Sequence, residues 1–126
     1  MIIADCSFSA SDSTPPRVTH QEFIDYNRFI VQFNEPILSY DCENVDNYSL
    51  EDMDKHVTEI TNRPTIQRVV CSDRQAKVYT RNIRTQYGEF FKLTMRNIRD
   101  RNNNIISPNP RTVTLVQRFE DDKPEE

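Results

Sequence analysis

Phe91-Lys92-Leu93-Thr94-Met95-Arg96-Asn97-Ile98-Arg99-Asp100-Arg101-Asn102-Asn103-Asn104-Ile105-Ile106 is the stretch that decides the fold class of this chain. Phe91, Leu93 and Met95 recur at every second position, the period of a strand with one buried face. From Arg99 to Asn104 the residues are only Arg, Asp and Asn. Asp and Asn bond their own backbone and tolerate positive φ, so this run reads as a corner. A second apolar start follows at Ile105-Ile106. Strand, tight polar corner and return describe a hairpin-like element of an extracellular-type β-sandwich, not of an enzyme.

Working outward, seven other segments carry strand character. Arg17 to Ile24 forms a first strand, and Arg28-Phe29-Ile30-Val31-Gln32-Phe33 a second, with Phe29, Val31 and Phe33 on one face. Tyr48-Ser49-Leu50 and Val57 to Ile60 are shorter. Ile66 to Cys71 and Ala76 to Thr80, separated by Ser72-Asp73-Arg74-Gln75, make a hairpin. Thr112 to Val116 is the last strand. Asp41 to Asp46 reads as an acidic loop, and no segment has convincing helical periodicity. Seven or eight short strands at intervals of about ten residues specify an all-β, antiparallel immunoglobulin-like sandwich.

The 126 residues suit one domain with one core. Residues 1–14 are Ser/Asp-rich and are expected to form an arm, 15–118 the sandwich, and 119–126 an acidic, mobile tail. No apolar run approaches the roughly 18 residues of a membrane span, and the start of the chain lacks the basic and apolar regions of a secretory signal. A lipid-modified Cys6 is set aside for the same reason. With a single glycine, Gly88, the chain has no Gly-rich phosphate-binding loop. Its turns must be built from Asn, Asp, Ser and Pro. The three cysteines, Cys6, Cys42 and Cys71, are odd in number and form no Cys-x-x-Cys pair. They are expected to be free thiols in a reducing compartment.

Four segments together resemble the bacterial immunoglobulin-like modules of S-layer (SbsA-type) and other cell-surface proteins. They are Pro15-Pro16-Arg17-Val18, Phe33-Asn34-Glu35-Pro36-Ile37, Asn47-Tyr48-Ser49-Leu50 and Ile98 to Ile106. Their order and spacing agree with the family across roughly residues 15 to 117. In the last segment Asn103 stands where the family has glycine, and Asn is the non-glycine residue that best tolerates a left-handed backbone. The family has no shared catalytic residues, so the resemblance implies a structural, spacer or adhesive module with no cofactor.

Sharper chemistry finds little purchase. Asp100, Asn102 and Asn104 fall at the first, third and fifth positions of a calcium-type loop, but Ile105 stands where such a loop needs glycine and Arg111 where it needs glutamate. Asp100, Asn103 and Asn104 are therefore expected to form a structural turn. His20 and His56 have no metal-binding or nucleophilic spacing, and Glu35 has no evident carboxylate partner. Without tryptophan, and with scattered tyrosines, a sugar-binding face has no positive support.

Charge is unevenly distributed. Residues 1–63 carry 4 Lys/Arg against 12 Asp/Glu, residues 64–119 carry 11 against 3, and the last seven carry 1 against 5. Arg81, Arg84, Arg96, Arg99 and Arg101 are expected to make one basic interaction face. Aromatic residues do not interleave with them, so nucleic acid is not expected as a partner, and neither is a small-molecule substrate. Complementary charge favours docking to other structural proteins of an assembly or to copies of the same chain. Two readings follow: an accessory, decoration or neck component of a tailed-bacteriophage virion, made in the host cytoplasm, or a spacer or adhesion module of a bacterial cell-surface or secreted protein. The initiating Met1, the absent secretion signal and the free cysteines favour the virion component.

Overall fold

A computed structural model describes residues 14–53, 64–81, 83 and 90–119. Seven strands are present among these residues: β1 (Val18–Asp25), β2 (Arg28–Phe33), β3 (Tyr48–Asp52), β4 (Thr65–Ser72), β5 (Gln75–Arg81), β6 (Phe90–Met95) and β7 (Arg111–Val116). They form two antiparallel sheets, one in the order β1-β2-β5-β4 and the other β3-β6-β7. In chain-order letters this is ABED against CFG, the strand arrangement of an immunoglobulin-type sandwich. The strand expected over Val57 to Ile60 lies outside the described residues, as do the arm up to residue 13 and the tail from residue 120.

Period-two patterning builds the core as the sequence demands. Phe29, Val31 and Phe33 of β2 and Ala76 and Val78 of β5 face Phe91, Leu93 and Met95 of β6 and Val113 and Leu115 of β7, all buried. Phe23 packs edge-on to Phe29 and Phe91, with ring centroids 5.5 and 5.7 Å away. Such edge-to-face pairs add about 1 kcal/mol each beyond the area they bury. On the other face of β2, Ile30 is only 9 % exposed, in register between Glu22 of β1 and Lys77 of β5.

The acidic loop expected over Asp41 to Asp46 is a correction. It folds into a one-turn helix, α1 (Ser39–Cys42), and a 3-10 turn, Val45–Asn47. Local capping explains both: Asn44 accepts the Asp46 N–H at 3.0 Å, and the N–H groups of Asp41 and Cys42 return to the Leu38 carbonyl. Elements this short carry no periodicity to read.

The cysteines are the second correction. Cys42 of α1 and Cys71 of β4 form a disulfide, with Cα atoms 6.3 Å apart and a separation of 29 positions in sequence. Sequence spacing gave no hint of it, because the pair meets only once the β2–β3 connection folds over the open edge of β4. Glu43 seals that edge further by accepting the Cys71 N–H at 2.8 Å. On the opposite side of the sandwich, Gln21 of β1 donates its side-chain amide to the Thr114 carbonyl of β7 at 3.2 Å.

The strand directions define two ends. Val18 pairs with Phe33, Arg17 exchanges hydrogen bonds with Asn34, and Ile37 donates to the Asp73 carbonyl, so the chain enters β1 at the end that also holds the β4–β5 turn. β7 begins at that same end, where Arg111 pairs with Met95, and finishes at the other, where Gln117 donates to the Tyr26 carbonyl at 3.2 Å. Entry and exit are thus separated by the length of the strands, about 20 Å for six residues.

Candidate functional site

The entry end is where side-chain chemistry concentrates. Glycine is nearly absent, and the left-handed positions there are taken by Asp73, Asn97 and Asn103, with φ of 54°, 60° and 71°. Asp and Asn tolerate positive φ better than other non-glycine residues, which lowers the cost of these turns. Asn97 and Asn109 exchange a reciprocal pair of hydrogen bonds at 2.9 and 3.0 Å.

Asp100 organises the corner that follows β6. Its carboxylate is 1 % exposed; Oδ1 accepts the N–H groups of Asn102 and Asn104 at 2.8 Å each, and Oδ2 accepts the Asn104 side-chain amide at 3.1 Å. Backbone bonds Asp100 N to Asn104 O and Asn103 N to Asp100 O close the turn, and bridges pair Arg99 with Ile105 and Ile37 with Asp100. The carboxylate oxygens are directed at the loop's own donors rather than outward. Among the described residues no group of three or more His, Cys, Asp or Glu could hold a metal ion.

Beside this corner Arg99 is clamped to Asp41 of α1. Arg99 Nε donates to Asp41 Oδ2 at 2.7 Å, Nη2 to Oδ1 at 3.1 Å and the backbone N–H to Oδ2 at 3.0 Å, while Nη1 reaches Asn103 at 3.0 Å. Asp41 is 5 % exposed. The hydrogen bonds and charge of Arg99 hold its carboxyl below the usual carboxylate range, against the opposing effect of burial. Asn47 donates to the Asp41 carbonyl at 2.9 Å, and the buried Tyr48 hydroxyl donates to the Cys42 carbonyl at 2.6 Å. Burial pushes that phenol above its usual range.

The five arginines expected on one face are not brought together. Arg96, Arg99 and Arg101 lie at the entry end, where Arg99 is spent on Asp41 and Arg101 lies 3.9 Å from Asp73. Arg81 ends β5, paired with Thr65, whereas β5 begins opposite Ser72 beside the Asp73 turn. It therefore sits at the other end of the sandwich. Arg84 lies outside the described residues.

Among the described residues no acid–base pair suited to catalysis emerges. His20 and Glu22 approach to 3.4 Å on the exposed side of β1, and His56 is outside the described residues. A shallow depression lined by Ser39, Tyr40, Glu43 and Asn44 holds one carboxylate, already directed at Cys71. No described helix is long and apolar enough to cross a membrane.

No protein-family model and no characterised protein matches the sequence. The fold is similar to the N-terminal part of the bacterial S-layer protein SbsC, with a TM-score of 0.73 and 16 % identity over 91 % of this chain and 26 % of that one. It is equally similar to domains 1–6 of SbsC, with a TM-score of 0.72 and 16 % identity over 90 % of this chain and 15 % of that one. At this identity the likeness establishes a shared sandwich fold, and the chain spans about a quarter or less of the proteins it resembles. The four segments that carried the sequence resemblance all meet at the entry end: Arg17 with Asn34, Ile37 with Asp100, Asn47 with Asp41.

Proposed function

We propose that this chain is a non-catalytic immunoglobulin-like spacer or adhesion module of a bacterial cell-surface or secreted protein. The observation that carries the reading is the placement of entry and exit at opposite ends of the sandwich, Arg17 beside Asn34 and Gln117 beside Tyr26. Modules with this geometry join end to end without doubling back. The Cys42–Cys71 disulfide favours folding in an oxidising compartment, and the multidomain S-layer relatives supply the architectural precedent. The virion component has no support in these comparisons and loses the free thiols that favoured it.

The test is small-angle scattering of two copies fused head to tail through residues 119–126. A maximum dimension close to twice that of the single module is the expected result. A compact pair lying side by side, with little increase in length, overturns the reading.

A further inference from the structure

The last seven residues, Glu120-Asp121-Asp122-Lys123-Pro124-Glu125-Glu126, carry five carboxylates. Their point of departure is defined by hydrogen bonds. The Phe119 N–H donates to Gln117 Oε1 at 2.7 Å, and the fully buried Gln117 donates to the Tyr26 carbonyl. The next carbonyl, that of Asn27, accepts the Thr80 N–H at 2.9 Å and also the Thr80 hydroxyl. Thr80 precedes Arg81. The exit of the chain is therefore stitched through the β1–β2 turn to the end of β5.

The outer face of the β4–β5 hairpin beside that point is cationic. Along β5 the residues Lys77, Tyr79 and Arg81 alternate with the buried Ala76, Val78 and Thr80. Arg28, Tyr79 and Arg68 are in register across three strands, with the Arg68 guanidinium 4.8 Å and that of Arg28 5.9 Å from the Tyr79 ring centroid. Arg28 is neutralised by Asp25, its Nε donating to Oδ2 at 2.7 Å. Arg68, Lys77 and Arg81 form no ion pair with a carboxylate among the described residues. Gln67, with its amide oxygen turned to Arg81, accepts from Nη2 at 2.6 Å and from Nε at 3.1 Å, which aims this guanidinium without cancelling its charge.

We propose that the outer face of the β4–β5 hairpin is a docking surface for an acidic peptide, and that its occupant is the chain's own segment 120–126. Seven extended residues reach about 23–25 Å. Neighbouring strands are about 4.8 Å apart, so the step from the β1–β2 turn to β5 and β4 is about 10–15 Å. Tethering raises the effective concentration to about millimolar, enough for a weak charge contact to be populated. The docked segment would fix the direction in which the chain leaves the sandwich. This stands apart from the spacer reading, since a single isolated module would show it.

The test compares nitrogen-15 spectra of the full chain with those of a variant in which all five tail acids are amides (E120Q, D121N, D122N, E125Q and E126Q). In about 20 mM salt, resonances of Arg68, Tyr79, Arg81 and Asn27 are expected to shift between the two, independently of protein concentration. In about 1 M salt, where the screening length is about 3 Å, the difference should vanish. An R68Q/R81Q variant should lose it while keeping the spectrum of a folded sandwich. Low-salt spectra that agree outside residues 118–126 overturn the proposal. So do differences that grow with concentration, which place the segment on a second copy, or that map to Arg74 and Arg101 at the other end.

Discussion

Arg99 donates three hydrogen bonds to the Asp41 carboxylate, two from its guanidinium and one from its own backbone N–H, joining the corner after β6 to the helical turn after β2. Two connections distant in sequence by 58 residues are locked into one end of the sandwich. Removing one partner of a buried pair leaves the other uncompensated, a loss of about 3–5 kcal/mol when both are buried. Arg99 is partly exposed, which lowers the figure. D41A is expected to cost about 2 kcal/mol, and a double-mutant cycle with R99A, followed by urea denaturation, should return a coupling of at least about 1 kcal/mol.

Acid should weaken the fold through the same group. Asp41 is held below the ordinary carboxylate range by Arg99. Burial alone would raise Asp25, but hydrogen bonds from the Arg28 side chain and the Asn27 N–H outweigh it. Both folded-state values lie below the unfolded value of about 3.9. Their stabilisation is therefore complete above about pH 5 and is lost as pH falls through the lowered values, where the unfolded chain takes up protons first. Thermal melts between pH 6 and pH 2 are expected to show a steep fall below about pH 4, shallower in D41N.

Opening the disulfide should be costly and countable. In the chain-entropy account, a loop of 29 residues corresponds to about 3–4 kcal/mol. C42S/C71S, or reduction of the native chain, is expected to lower the denaturation midpoint accordingly. Thiol titration of the unreduced, unfolded chain should find one reactive cysteine of the three; three would contradict the bridge.

Tyr48 offers a smaller test. Y48F leaves the buried Cys42 carbonyl without its donor and should cost about 1–3 kcal/mol in chemical denaturation.

Asn103 separates backbone need from side-chain need. Its φ of 71° is open to glycine, so N103G should stay within about 1 kcal/mol of the native stability, while N103V should lose about 1–2 kcal/mol through Cβ crowding. Equal effects from the two variants would remove the backbone argument.

The strands were legible because each has its own period. Phe29, Val31 and Phe33, or Phe91, Leu93 and Met95, announce a buried face with no help from the rest of the chain. The clamp and the disulfide were not, since Asp41 and Cys42 acquire meaning only against Arg99 and Cys71 from distant elements. Asn47 and Tyr48 did stand within a recognised segment, and their partners, the Asp41 and Cys42 carbonyls, show what those side chains are for. Grouping the arginines by sequence failed for a directional reason. Arg81 ends β5 and Arg99 follows β6, the next described strand, but β5 carries one away from the end to which β6 returns the other.

The closed loop between Cys42 and Cys71 also bears on how the molecule responds to force. Tension applied through the two ends is carried by β1 and β7, which run side by side in the same direction and must slide past one another before either can peel. Even after they yield, the 29 residues of the covalent loop cannot be drawn out. About 100 Å of contour length is thereby withheld, so a stretched module would extend by a fixed, shortened step.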